Sequence, residues 1–303
     1  MDFRLTPDQE SLVEAIDKLA LQFQQKPTEF HGFALVGDDL ERELDEGGYF
    51  DIAQVPELGP LAAALAVERL ARLPFASEFA LSMLVRPQLS IQVPRPLTIV
   101  ENGRPARFLT TAKTVLVIEG DSVGIAHPSV DAVEPVESIY AYPMGRLTRT
   151  LDVERLSDAD AANVRTWIRV ALAAEASGLL KASLDSTVEH LTLRKQFGRP
   201  LGTFQALRHR MAECAVLVGG VRWLALKAAG TGDAGDAALA ASHAQESATR
   251  IVYEVHQMFG AMGMTLEASL HLWTYRLKLL LSELGGRGGQ AEAVAKYVFD
   301  KKE

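Results

Sequence analysis

From about Gln92 to Leu147 the chain abandons helical spacing for short β-branched runs, VPRPLTIV, ARFLTTAKTVLVIEG, SVGIAHP and SIYAYP, each bounded by Pro, Gly or Asp. These runs predict strands. On either side the apolar residues recur at helical spacing, so a small β segment is enclosed between two helical ones. At the amino end, Thr6 can cap a helix that opens with Pro7, Gln9 completes a capping box, and Leu12, Ile16, Leu19 and Phe23 repeat along one face. A Gly47-Gly48 break follows, and then LGPLAAALAVERLARLPFASEFALSMLV, interrupted at Pro74, predicts two more helices. From about Asp152 onward Ala176, Leu180, Leu184, Val188 and Leu191 form one stripe, and Met211, Ala215, Val218 and Ala228 another. Loops at GTGDAGD (Gly230 to Asp236) and GGRGG (Gly285 to Gly289) are expected to separate long antiparallel helices. The expected architecture is mainly α with a small β domain: helices over 1–91, a β domain over 92–150 and a four-helix bundle over 151–303.

Composition narrows the function classes. At 303 residues and 48% hydrophobic the chain can bury a full core. A net charge of -8 with no Lys/Arg block argues against nucleic acid as a partner. Cys214 is the lone cysteine, which excludes an internal disulfide and a multi-cysteine metal site and fits a reducing compartment. Neither a leader after Met1 nor an apolar run long enough to span a bilayer is read, so a cytoplasmic location is expected.

One stretch sits oddly in a helical segment. RKQFGRPLGTFQALRHRMAE, Arg194 to Glu213, places cations, a Phe-Gly break and a Phe-Gln pair in one run. With HQMFGAMGMTLE (His256 to Glu267) and the amino-terminal ALAVERLARLPFAS, in this order and on this helix–strand–helix background, it resembles the acyl-CoA dehydrogenase family. The resemblance runs through essentially the whole chain, with its firmest part between Arg165 and Arg276. It implies flavin adenine dinucleotide lying between subunits. Arg194 would face the pyrophosphate, since a guanidinium grips phosphate oxygens in pairs. Gln196 and Phe197 would wall the same site, Gly198 would let the backbone turn, and Phe204 and Gln205 would continue it. Gln257, Gly260 and Ala261 match a second contact stretch, with Ala261 where the family usually has glycine. Taken without the motif, Arg194 is a solvated cation beside Glu189, Phe197 and Phe204 are core aromatics, and Arg208, His209 and Arg210 are a solvated basic face. His209, His256 and His271 are read as surface or core histidines, and Trp223 and Trp273 as packing.

The reaction implied by the resemblance, removal of an α-proton and a β-hydride from a CoA thioester, needs a positioned base. Counting from Arg276 puts the family's usual base position at Gly285, and counting back from Arg194 puts its less common position at Ile168. Neither can take a proton. Glu283 and Glu175 are the nearest carboxylates and are read as structural. The strand segment is also shorter than the family's, without the stretches that cover a flavin ring. The resemblance is thus to the incomplete, base-lacking chain of a heterotetrameric dehydrogenase acting on steroid-type side-chain thioesters. It implies a second acyl-CoA dehydrogenase-like subunit, an acyl-CoA substrate and an acceptor such as electron-transfer flavoprotein. Two other readings stay open: a self-sufficient homo-oligomer using Glu175 or Glu283, and a flavin-free scaffold. GGRGG is expected to be mobile unless Arg287 finds an anion, for which a phosphate of the flavin or of CoA is the candidate.

Overall fold

A computed structural model describes residues 4–299, so the start at Met1 to Phe3, where a leader was sought, lies outside the described residues. The first helix, α1 (Pro7–Gln22), forms as its capping box requires. Thr6 Oγ1 accepts from the Gln9 amide at 3.3 Å, and Gln9 Oε1 accepts from the Thr6 amide at 3.2 Å. Beyond it come α2 (Asp38–Glu46), α3 (Gly59–Ala71) and the short α4 (Ala80–Leu84). α3 buries nine residues, five of them alanine, and so presents a flat surface that another backbone can approach closely. α2 has three acidic residues in its first five and no apolar stripe beyond Leu40 and Leu44, which is why periodicity missed it.

The strands form two small sheets. The first has the order β1 (Leu97–Glu101), β3 (Thr114–Glu119), β4 (Ser122–Ala126), β7 (Glu154–Arg155), with β1 parallel to β3 and the rest antiparallel. The second has the order β2 (Ala106–Arg107), β6 (Met144–Leu147), β5 (Val133–Val136). SIYAYP, expected as a strand, is instead an irregular connection between β5 and β6: Ala141 has φ +56, which breaks a ladder, and the Tyr142 side chain is buried. β7 was not expected, being two exposed residues.

The bundle is built around α5 (Asp158–Leu193), 36 residues long and buried on all sides over its middle turns. α6 (Gln205–Thr231) and α7 (Ala234–Phe259) complete its body, with α8 (His271–Leu280) against α5 and α9 (Gly286–Phe299) against α7. The buried face of α6 runs through Met211, Cys214, Val218, Val221, Ala225 and Ala228. Ala215, placed on that stripe from spacing, faces outward, and so does Val188 on α5. By length and composition α6 could cross a membrane, contrary to the reading above; here it is a bundle helix with one apolar face buried.

Both expected glycine loops are different from their prediction. GTGDAGD collapses to a two-residue joint, Gly232 in a left-handed conformation closing α6 and the Asp233 carboxylate capping α7 at the Asp236 amide. In GGRGG only Gly285 (φ +74) and Gly286 (φ +63) form the turn, and the remaining residues are the first turn of α9. Arg287 is therefore a helical residue, its Nη1 3.1 Å from Glu246 Oε2 on α7.

Candidate functional site

RKQFG is not on a helix. α5 ends at Leu193, and Lys195–Gln196 (β8) pairs with Arg199–Pro200 (β9) across a two-residue turn of Phe197 (φ +57) and Gly198 (φ +77). Positive φ at both central residues is the turn that suits the strand twist, and it is costly for phenylalanine. Phe197 is 87% exposed, its ring meeting Phe204 edge-on at 6.0 Å between centroids. Arg199 lies 4.1 Å over the Phe204 ring, so Phe204 is the half-buried base of the hairpin and Phe197 its outward tip. Arg194 and Gln196 are exposed, and Arg194 forms no ion pair among the described residues, not even with Glu189. Gln205 Nε2 lies 3.4 Å from His209 Nε2 at the start of α6. The basic run behind it is not a free patch, since Arg210 is bonded to Glu254 at 2.6 Å and Arg208 to the Gly202 carbonyl at 2.8 Å.

The second stretch is the carboxyl end of α7. His190 of α5 stacks on Phe259 at 4.3 Å, which makes the hairpin and the end of α7 neighbours at one end of the bundle. Gln257, Gly260 and Ala261 are exposed along a groove of about 650 Å³ that also includes Tyr253, His256 and Met264. His256 Nε2 is 2.9 Å from Thr274 Oγ1, and burial lowers its pKa. His271 places its two ring nitrogens 2.8 and 3.0 Å from the Ala268 and Gly32 carbonyls. It ties the segment before α2 to α8. Arg287 stands apart from this set, because Glu246, its partner, precedes Gln257 by eleven residues, about 16 Å along α7.

Glu175 and Glu283 converge on one buried cation that sequence reading missed. Arg107 of β2 directs Nη1 to Glu175 Oε2 at 2.7 Å, and Nε and Nη2 to the two oxygens of Glu283 at 2.8 and 3.3 Å. Tyr142 donates its hydroxyl to Glu175 Oε1 at 2.6 Å. The Arg107 and Glu175 side chains are 8% and 2% exposed. Burial pushes the Glu283 carboxyl above the usual carboxylate range despite Arg107, and burial together with Glu175 holds the Tyr142 phenol well above its usual value. Phe108 (φ +60), Ala141 (φ +56) and Leu284 (φ +55) each adjoin a member of this cluster, so three strained turns deliver its side chains. Beside it, Arg276, 1% exposed, donates Nη1 and Nη2 to the Phe75 and Leu73 carbonyls at 2.8 and 2.6 Å. Both carboxylates are engaged by Arg107, Glu175 closed off at 2% exposure and Glu283 keeping 19%.

At the turn itself Gly285 lines a cavity of about 720 Å³ between the first sheet, α5 and α9. The carboxylate next to it is Glu101 of β1, which accepts the Leu284 amide at 3.0 Å. Arg169 lines the same cavity, 6% exposed, bonded through Nε to Gln290 Oε1 at 2.9 Å and free of ion pairs among the described residues. Ile168 is 1% exposed and packed in the core. Arg107, Glu101 and Arg169 are isolated charges in apolar runs, and only their depth in the fold distinguishes them from surface residues.

Residues 161–298 match the sequence model of the acyl-CoA dehydrogenase C-terminal domain. This region, a little under half of the chain, is an acyl-CoA dehydrogenase C-terminal domain. Acyl-CoA dehydrogenase IpdE2 of Mycolicibacterium smegmatis is 30% identical over 201 residues, 66% of this chain and 61% of that one. Acyl-CoA dehydrogenase FadE34 of Mycobacterium tuberculosis is 30% identical over 164 residues, 52% of this chain and 23% of that one. This chain therefore spans about three fifths or less of these relatives' length. Among solved structures, the ChsE4-ChsE5 complex from Mycobacterium tuberculosis superposes with a TM-score of 0.76 at 19% identity, covering 100% of both chains. Butyryl-CoA dehydrogenase from Megasphaera elsdenii gives 0.75 at 19%, covering 98% of this chain and 100% of that one. The fold is that of the acyl-CoA dehydrogenases.

Proposed function

We propose that this chain is the half-site partner in a heteromeric, flavin-dependent acyl-CoA dehydrogenase, contributing cofactor contacts to a neighbouring subunit without a catalytic base of its own. The observation that carries it is the pairing of an outward hairpin with a locked interior. Arg194, Gln196 and Phe197 point away from their own chain, while Glu175 and Glu283 are both consumed by Arg107. A self-sufficient enzyme using either glutamate would have to strip a buried guanidinium from its carboxylate, which costs several kcal/mol. The relatives and neighbours support the family setting: one similar solved structure is the Tcur3481-Tcur3483 steroid ACAD and another the ChsE4-ChsE5 complex.

The residues present fit a flavin adenine dinucleotide. The hairpin offers a guanidinium with no ion pair among the described residues, an exposed ring and a glycine turn, and Gln257, Gly260 and Ala261 line an open groove at the same end of the bundle. Arg194 would grip the pyrophosphate, Phe197 and Phe204 would wall it and Gln196 and Gln205 would supply amide contacts. Arg287 enters this set by resemblance and not by its position. When bound, the flavin takes up the hydride from the thioester β-carbon. The partner subunit would supply the base, and the acyl-CoA would be oxidised there. The segments 1–91, 92–150 and 151–303 are proposed as the domains that share this work.

Arg194→Ala tests the assignment. It removes charge-assisted bonds of about 1.5–3 kcal/mol, so the assembled complex is expected to bind flavin about 10- to 100-fold more weakly with unchanged thermal unfolding of the chain alone. Unchanged flavin affinity in a titration of the apo-complex would remove Arg194 from the site.

A further inference from the structure

Away from the hairpin, between α3, α5 and α6, Glu68 is buried at 2% exposure and carries three guanidiniums. Arg69 Nη1 is 3.0 Å away, Arg222 Nε is 3.5 Å away, and Arg72 bonds its other oxygen. Lys181 completes the wall of a cavity of about 460 Å³ whose floor is made by Ala215, Val218 and Gly219. One carboxylate cannot neutralise three guanidiniums. The remaining acids, Asp17 on Arg69 and Asp185 on Lys181, lie on the solvent side at 52% and 56% exposure, where water screens them.

A second observation is independent of charge. Thr166, Ser183, Thr187 and Thr192 of α5 all return their hydroxyls to the carbonyl four residues back, at 2.9, 2.8, 2.7 and 2.7 Å. Ser177 of the same helix does not. It is 1% exposed, lines this cavity, and its Oγ has no hydrogen-bond partner. A buried hydroxyl without a partner is uncommon and calls for a ligand. Arg222 reaches Glu68 through Nε, and its two terminal nitrogens form no hydrogen bond among the described residues. It presents the fork that suits an oxyanion.

We infer that this cavity binds a phosphate group, held by Arg222 and Lys181 and receiving the Ser177 hydroxyl, at a site separate from that proposed for the flavin. Either free phosphate or a small phosphate monoester has this chemistry. Calorimetric titration of this chain with inorganic phosphate, and separately with adenosine 5′-monophosphate, at constant ionic strength set with chloride, tests it. One phosphate per chain is expected, weakened at least tenfold by Arg222→Ala and severalfold by Ser177→Ala, with both variants folded by circular dichroism and with Arg194→Ala binding as the parent does. Saturable binding of inorganic phosphate alone identifies the free ion, and tighter binding of the nucleotide identifies a monoester. No phosphate heat beyond chloride dilution, binding unaltered in both Arg222→Ala and Ser177→Ala, or binding lost in Arg194→Ala would overturn the inference.

Discussion

Arg107→Ala is expected to lower the stability of this chain by about 3–5 kcal/mol at neutral pH, because it leaves Glu175 and Glu283 buried with no cation between them. The loss is expected to shrink in acid. Burial already raises the folded-state pKa of Glu283 above its unfolded value while Arg107 works to lower it, and removing Arg107 deletes that opposing effect. A carboxyl with a raised folded pKa is most favourable to folding below the unfolded value, and that contribution disappears as pH rises through the folded value. Denaturant unfolding of parent and variant at pH 4 to 8 should therefore show a gap that widens with pH. A gap that is small, or that widens toward acid, would mean the carboxylates are solvated and the cluster does not lock the interior.

Gly178→Ala is the second large effect. A Cβ there would lie 2.2 Å from the Glu68 carbonyl oxygen and 2.7 Å from Ala71 Cβ, so the methyl meets the backbone of α3 and cannot be relieved by a side-chain rotation. Overpacking of this kind costs about 1–3 kcal/mol and more where a helix must move, so the variant is expected at or above the top of that range. Gly219→Ala on α6 is the control. Nothing lies within 4 Å of its Cβ, and alanine there should gain up to about 1 kcal/mol from helix propensity. Equal effects of the two substitutions in thermal unfolding would show that α3 and α5 do not approach at Gly178.

What the sequence made legible follows from how local each determinant is. The capping box at Thr6 and Gln9, the β-branched runs of β1, β3 and β4, and the long helices depend on near neighbours, and periodicity read them. The hairpin at Phe197 and Gly198 was read as helix because its turn rests on positive φ at a phenylalanine, which propensity disfavours. GGRGG was read as a loop because four glycines are poor helix formers, yet Gln290, fully buried, bonds the Leu284 carbonyl and Arg169 and fixes the start of α9. The Arg107 cluster joins β2, the β5–β6 connection, α5 and the turn before α9, residues 68 and 176 positions apart in pairs, and no sequence spacing encodes such a meeting. The buried Glu78 is similar: its carboxylate accepts the Leu81 and Ser82 amides at the start of α4 and the Leu97 amide at the start of β1. Of the candidate site, the hairpin and the end of α7 came from motif, and the reasons Glu175 and Glu283 are unavailable came only from the fold.

The half-site reading is tested most directly by measuring flavin per chain, by absorbance and by release on denaturation, in this chain produced alone and produced together with its acyl-CoA dehydrogenase-like partner. The account predicts no bound flavin alone and one flavin for each pair of chains together, with acyl-CoA oxidation confined to the pair. One flavin per chain in the protein produced alone, with turnover of an acyl-CoA that Glu175→Gln or Glu283→Gln abolishes, would contradict it.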